Sequence, residues 1–156
     1  MQHILLEDAI LKLNDNILIE GLKNRKYDIV VLHKEVEDEE LYIQKYSDEQ
    51  LYISLPRSNP LSSKKGIYFS ELDGQNILLY SEIGFWFDIP KQMLPHSKIL
   101  LQNEFEVFNA ITNASVIPSF SSNRILERYG HTSGKIDIPI LNNEAYTNYY
   151  SVCKKK

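Results

Sequence analysis

The sequence predicts an α/β fold of two lobes, in which mainly parallel sheets are flanked by helices. Three observations lead to this prediction. Short apolar runs rich in β-branched residues alternate with segments of helical spacing along the 156 residues. Apolar residues make up 43% of the chain, which is enough for a packed core. A polar stretch rich in Ser, Pro and Lys, at residues 56–66, divides this pattern into two halves.

The first half begins with a predicted βαβ unit. Residues 4–13 are apolar-rich and predict a strand. The polar residues 14–16 offer helix caps, and residues 17–22 follow at helical spacing, ahead of a basic end that suits the helix dipole. Residues 27–32, with the sequence YDIVVL, predict a buried parallel strand. The acidic residues 35–40 then predict a solvated loop.

The rest of the chain continues in short elements. Two further strands are predicted at residues 41–46 and 50–55. After the polar stretch, strands are predicted at 76–80, 98–101, 115–118, 135–140 and 146–153, with helices at 84–94, 104–114 and 121–129. Gly130 ends the last helix. Pro90 leaves a second interpretation open, in which the first of these helices starts near Asp88 and residues 84–87 form an extended aromatic rim.

Composition and charge exclude several classes of protein. The net charge is −4 with no basic face, so the electrostatic footprint of a nucleic-acid-binding surface is missing. No apolar run approaches the roughly 18 residues of a membrane span. The first residues, MQHILLED, lack the pattern of a signal peptide, and a cytoplasmic location is therefore predicted.

The motifs of common enzyme classes are also missing. There is no glycine-rich phosphate loop, no Gly-x-Ser-x-Gly elbow and no Cys/His cluster with metal-ligand spacing. The four histidines are isolated from one another in the sequence. The sequence therefore predicts that the protein is not an enzyme and that it uses no metal and no cofactor.

Binding chemistry is better supported. In parallel sheets ligands bind at the carboxyl ends of strands, which directs attention to residues that follow three predicted strands. The candidate ligand-binding residues are His33, then Ser81, Glu82, Gly84, Phe85 and Trp86, and finally Ser119 and Phe120. The serines have an alternative role as ordinary helix caps, and Trp86 or Phe87 is expected to face the core.

Taken together, these stretches resemble the effector-binding domain of LysR-type transcriptional regulators. The resemblance rests on the order and spacing of several short motifs. They are ILIEGL at 17–22, YDIVVL at 27–32, DEEL at 38–41, LYISLP at 51–56, NPL at 59–61, FSELDG at 69–74, ASVIPS at 114–119 and YYSVCK at 149–154.

The resemblance implies the fold of the type 2 periplasmic binding proteins, with an effector held between two lobes. Lobe I would comprise residues 1–60 with 135–156, and lobe II residues 61–134. The ligand would be an anionic or polar small molecule, and the assembly a homodimer. Members of this family contact DNA through a winged helix-turn-helix domain, which this chain does not contain. The family's effector domain also normally starts one strand and one helix earlier, which predicts an N-terminally truncated version of the fold.

Two alternatives to a ligand sensor stay open at this stage. The first is a standalone oligomerisation or interaction module on the same fold, because a truncated lobe would expose a sheet edge. The second is an enzyme on the same fold, which the missing catalytic motifs disfavour.

Overall fold

The computed structural model describes residues 14–156 and divides into two compact units. The first contains the chain up to Glu49 together with Thr147–Lys156, and the second contains Gln50–Tyr146. The sequence-predicted lobes, with boundaries at about residues 60 and 135, stay a prediction. The strand predicted at residues 4–13 lies outside the described residues. Among those described, no helix has both the length and the apolar character needed to cross a membrane.

The described part of the first unit is a helix packed on strands. Helix α1 (Asp15–Lys23) begins where the Asn14 side-chain oxygen accepts a hydrogen bond from the Ile17 N–H at 3.0 Å, as predicted from the cap signal. Strand β1 (Ile29–Leu32) is buried along most of its length. It pairs with the last strand, β7 (Tyr146–Lys154), and this pairing is antiparallel, which corrects the parallel strand predicted for this run.

One long strand, β2, replaces the two strands predicted at residues 41–46 and 50–55. It runs without a break over Leu41–Pro56. The polar residues in its middle are mostly exposed, and they interrupted the apolar pattern. Backbone pairing does not depend on side-chain polarity, so the ladder continues where the apolar pattern stops.

The second unit contains the other strands and most of the helices. Its strands besides the end of β2 are β3 (Asn76–Tyr80), β4 (Lys98–Gln102), β5 (Ser119–Ser122) and β6 (Lys135–Pro139). Its helices are α2 (Phe69–Leu72), α3 (Ile89–Met93), α4 (Phe105–Ala114) and α5 (Asn123–Tyr129), with single 3₁₀ turns at Pro60–Ser63, Gly84–Trp86 and Asn143–Ala145.

The sheet of the second unit is mixed. Strand β3 is parallel to β4 and β5, whereas β2 is antiparallel to β5 and β6. The α/β fold with flanking helices is therefore confirmed, but the expectation of mainly parallel pairing is wrong in detail. The consecutive buried residues Ile77, Leu78 and Leu79 give β3 the two-sided apolar character of a central strand.

Two predicted elements of the second unit are shifted. Residues 115–118 are not a strand, because β5 starts only after Pro118, which has no N–H to give to a ladder. The predicted helix at 84–94 is a 3₁₀ turn followed by the short helix α3, with Pro90 in its first turn. Asp88 is the N-cap of α3, as the second interpretation predicted. Residues 84–86, however, form a 3₁₀ turn and not an extended segment.

Candidate functional site

A pocket of about 110 Å³ lies beside β5 in the second unit. Helices α4 and α5, strand β5 and the segment after α5 contribute its lining. All of these elements belong to the second unit. Its residues fall into an aromatic wall and a polar wall.

The aromatic wall comes from one face of α4 and the end of α5. Phe105 and Phe108 stack on each other with ring centroids 6.3 Å apart, and Tyr129 lies 4.6 Å from Phe105. Tyr80, the last residue of β3, extends this cluster with its ring 5.3 Å from that of Phe105. The sequence predicted Phe105 and Phe108 on one helix face because they are three residues apart. The wall therefore presents flat apolar rings to the pocket.

The polar wall contains Ser54 and His131, which are linked through Asp137, a residue that does not itself line the pocket. Ser54 and Asp137 lie opposite each other in the β2–β6 register, and the Ser54 hydroxyl donates a short hydrogen bond to the Asp137 carboxylate. The other carboxylate oxygen lies 2.5 Å from His131 Nδ1. The Asp137 side chain is only 2% exposed, whereas His131 is mostly exposed. Because a carboxylate can only accept, Nδ1 donates its proton to Asp137 and Nε2 remains for another partner.

Lys135 is a buried cation close to these linked side chains. Its ammonium group donates a hydrogen bond to the Ile117 carbonyl oxygen at 2.7 Å, which ties β6 to the segment that precedes β5. Burial lowers the pKa of Lys135, and the nearby charge of Asp137 partly offsets this effect. Lys135 is not among the residues that line the pocket.

Of the candidate residues, Ser119 and Phe120 line the pocket. Both are buried and lie inside β5, not in a loop after a strand as the sequence suggested. Their place in the sheet explains this difference, because Ser119 pairs with Ser54 on one side and with Leu78 on the other.

The group from Ser81 to Trp86 does not line this pocket. Ser81 follows β3, and its backbone N–H donates to the Gln102 carbonyl at 2.9 Å. Glu82 is exposed, Gly84 opens the 3₁₀ turn with a φ of +83°, and Phe85 meets the edge of Trp86 at 5.1 Å. Trp86 is fully buried in the main core cluster, which fits the core interpretation of this residue.

Two atoms of this group are buried without a hydrogen-bond partner in the part of the chain that the structure describes. They are the Ser81 hydroxyl and the Trp86 ring N–H. Buried polar atoms are normally paired, so each indicates a place where a partner atom is needed.

His33 belongs to the first unit. It is half-buried, and its ring lies 5.2 Å from that of Tyr149. Burial lowers the pKa of His33, while the charges of Asp15 and Glu49 act in the opposite direction. In the same unit, the Tyr149 hydroxyl donates to the Glu49 carboxylate.

Sequence reasoning missed Ser54, Asp137 and His131. The signal that could have found Ser54 and Asp137 is a single polar residue inside an otherwise apolar strand. His131 gave no such signal, because its contact with Asp137 depends on the turn after α5. Within residues 14–156, no three side chains of His, Cys, Asp or Glu are grouped so that they could hold a metal ion.

Comparison with known families identifies the fold. The model of the LysR substrate binding domain matches residues 10–116, which is more than half of the chain. The chain belongs to the LysR substrate binding domain family. Members of this family are regulatory domains that bind effectors, and not enzymes. No curated protein sequence matches the chain.

Solved structures show the same fold for this LysR-type domain. The reduced regulatory domain of OxyR from Pseudomonas aeruginosa is 15% identical, with a TM-score of 0.62 over 90% of this chain and 70% of that one. The BenM effector binding domain with its effector benzoate is 16% identical, with a TM-score of 0.60 over 92% and 68%. Full-length BenM is 17% identical, with a TM-score of 0.61 over 92% of this chain and 50% of that chain. This LysR-type domain therefore spans about half the length of a full-length regulator.

Proposed function

We propose that this chain is the ligand-sensing domain of a LysR-type transcriptional regulator and that the pocket on β5 holds a small-molecule effector. The family match supports the regulatory role, and the pocket with its two walls supports the location of the ligand. The regulator would contact DNA through a winged helix-turn-helix domain and would act in the cytoplasm as a homodimer.

Binding would act by shifting a population of conformations. A ligand that binds one conformation more tightly than another increases the population of the first. The size of the shift is set by the difference between its two affinities. Strand β5 offers a route for such a shift, since it lines the pocket and also pairs with both β2 and β3. In the full regulator, the change would pass to the DNA-binding domains through the oligomer.

The other candidate residues have a place in this proposal as a second contact region. Ser81 and Trp86 each present a buried donor without a partner among residues 14–156. Tyr80, which precedes Ser81, contacts Phe105 and Phe108 in the aromatic wall. We infer that the segment from Ser81 to Trp86 responds to ligand through this wall. His33, in the first unit, stays a candidate ligand-binding residue without a place in the pocket.

A screen of metabolites by thermal unfolding tests the sensing role. A ligand that binds only the folded chain stabilises it by about 2.7 kcal/mol at 100 times its Kd. For a domain of this size, that free energy raises the Tm by roughly 5–11 °C. If no compound in a broad screen raises the Tm, the chain is not a ligand sensor.

A pair of tyrosine variants tests the location. Tyr129 lines the pocket and is 54% exposed, whereas Tyr42 is 55% exposed and lies in the first unit. Loss of an aromatic contact weakens binding by roughly two- to tenfold, so Tyr129→Ala is expected to raise the Kd of the effector by that factor. Tyr42→Ala is the matched control and is expected to leave the Kd unchanged. Equal Kd values for both variants would place the effector elsewhere.

A second candidate function is an interaction module on the same fold. The observation that favours it is the position of β4, which pairs with β3 alone among the described strands and therefore forms an edge. Leu101 on this strand is half-exposed. Edge strands with exposed apolar residues are prone to pair with another chain.

A further inference from the structure

We infer that the pocket on β5 selects an uncharged ligand built on a single ring with hydrogen-bonding substituents. This inference rests on the proposed function and specifies the class of its ligand. It is narrower than the sequence-based expectation of an anionic or polar molecule. Three properties of the pocket carry it, namely the charge, the size and the chemistry of its lining.

The charge of the lining excludes a strongly ionic partner. None of the 15 lining residues, all in the described part of the chain, is Lys, Arg, Asp or Glu. His131 is the one lining residue with a side chain that can carry a charge by gaining a proton at neutral pH, and its Nδ1 is already hydrogen-bonded to Asp137. Asp137 is hydrogen-bonded to Ser54 and His131, its side chain is only 2% exposed, and it is not among the lining residues, so a cation in the pocket does not reach its carboxylate directly. A charged ligand would therefore lose its hydration on entering the pocket and would find no group of opposite charge in the lining, which is unfavourable.

An anion has a further disadvantage in this pocket. The buried Asp137 carboxylate lies directly behind the Ser54 hydroxyl, on the polar wall. The Ser54 hydroxyl donates its one proton to Asp137, so toward any other group the Ser54 oxygen can only accept a hydrogen bond. An acceptor backed by a carboxylate repels a carboxylate ligand and favours a hydrogen-bond donor such as N–H or O–H.

The size limits the enclosed part of the ligand to one ring. The pocket volume of about 110 Å³ is smaller than the closed cavity of about 150 Å³ that holds one benzene molecule, so a single ring is enclosed only in part. The exposed Tyr129 and His131 mark the side that faces solvent, where substituents of a ring have room to extend. A ligand with two fused rings would exceed the enclosed part of the pocket.

The remaining lining matches a flat, hydrogen-bonding molecule. The rings of Phe105, Phe108 and Tyr129 form a surface against which a planar ring stacks. Ser119 and Ser121 also line the pocket, and their hydroxyls can both donate and accept hydrogen bonds. The Thr112 hydroxyl donates to the Phe108 carbonyl at 2.5 Å, which leaves it as an acceptor.

Three isosteric probes test the charge rule. Benzamide, benzoate and benzamidinium have nearly the same shape and carry charges of zero, minus one and plus one at about pH 7.5. Their Kd values for the full chain can be compared by the shifts of amide resonances in NMR titrations. Benzamide is expected to bind at least about tenfold tighter than either charged probe, which corresponds to about 1.4 kcal/mol. Its binding is expected to weaken in Tyr129→Ala and to be unchanged in Tyr42→Ala.

Two results would overturn the inference. One is a charged probe that binds as tightly as benzamide and depends on Tyr129, and the other is the failure of all three probes to bind. These results differ from failure of the proposed function. A charged metabolite that raises the Tm of the wild type and loses affinity in Tyr129→Ala would contradict the charge rule but support the sensing role.

Discussion

Two adjacent aromatic residues in the second unit have different environments. Trp86 is 0% exposed and belongs to the main core cluster, whereas Phe85, the residue before it, is 37% exposed. The 3₁₀ turn at Gly84–Trp86 produces this difference because successive side chains of a tight turn point in different directions. Trp86 therefore contributes mainly to stability, and Phe85 lies partly at the surface.

Substitution of these two residues separates the roles. Trp86→Ala removes a fully buried ring and is expected to reduce the free energy of unfolding by about 3–5 kcal/mol. Phe85→Ala is the neighbouring control, and a loss well below that of Trp86→Ala is expected because the ring is partly in water. Urea denaturation followed by circular dichroism measures both. Similar losses for the two variants would contradict the assignment of Trp86 to the core.

His33 gives the stability of the chain a dependence on pH. Burial lowers the pKa of His33 in the folded state below its ordinary value of 6.5. The unfolded state then binds more protons than the folded state as the pH falls below 6.5, so stability decreases in that range and is unaffected well above it.

The variant His33→Gln removes this effect. Between about pH 7.5 and 5.5, above the range in which carboxylates titrate, wild type is expected to lose more stability than His33→Gln. The midpoint of urea unfolding at the two pH values measures the loss. An equal loss in both proteins would show that the His33 imidazole is protonated in the fold without a penalty.

At the scale of elements, Gly21 shows how α1 is fitted to its unit. A Cβ atom at this position would lie 2.4 Å from the ring of Tyr27. Replacement of a helix glycine by alanine normally stabilises the helix by up to about 1 kcal/mol. Here the clash reverses the sign, because the ring must move away from its packed position.

A double-mutant cycle tests this contact. Gly21→Ala is expected to lower the free energy of unfolding by about 1–3 kcal/mol. In the background of Tyr27→Ala, the same change is expected to be neutral or stabilising. The interaction free energy from the four urea unfolding curves measures the difference. Additive effects of the two substitutions would show that the Tyr27 ring does not constrain this position.

The turn after α5 depends on a second glycine. Gly130 has a φ of +80°, and no atom lies within 4 Å of an added Cβ. The cost of Gly130→Ala is therefore backbone strain alone, about 1–3 kcal/mol. The same turn places His131 in the polar wall. The variant is therefore also expected to reduce the rise in Tm that the effector causes in the thermal unfolding assay. A loss of stability near zero would indicate that the turn adopts another conformation.

The sequence predicted most helices and strands, but it predicted less well which strands pair and in which direction. The cap at Asn14, the strand β3, the helix α4 and the end of α5 at Gly130 follow from local signals, and the structure has them all. Local patterns do not encode strand direction, and the antiparallel pairing of β1 with β7 joins segments more than 100 residues apart. The same limit explains the pocket. Ser119 and Phe120 followed from their position near a strand, whereas Asp137 meets Ser54 only through the β2–β6 register.

At the scale of the whole molecule, ligand binding and assembly are separate properties with separate tests. All pocket residues lie between Ser54 and Thr132, within the second unit. The edge strand β4 belongs to the same unit but does not line the pocket. A variant on β4 can therefore alter assembly while the lining of the pocket stays intact.

The predicted homodimer is testable at this edge. Two copies of β4 related by a two-fold axis would pair through their free backbone groups and would cover Leu101, which is 50% exposed. Sedimentation velocity is expected to show a dimer that dissociates on dilution. Leu101→Lys is expected to shift the chain to a monomer, because a charge on an edge strand opposes pairing.

Val116→Lys provides the control for this test, since Val116 is exposed and lies outside the strands. It adds the same charge and is expected to leave both the dimer and the wild-type Tm unchanged. Leu101→Lys is expected to lower the Tm only by the stabilisation that association of the two copies adds, because the site itself is not in the core. A wild-type chain that sediments as a monomer at every concentration would contradict the homodimer. A dimer that survives Leu101→Lys would show that the two copies associate through a surface other than β4.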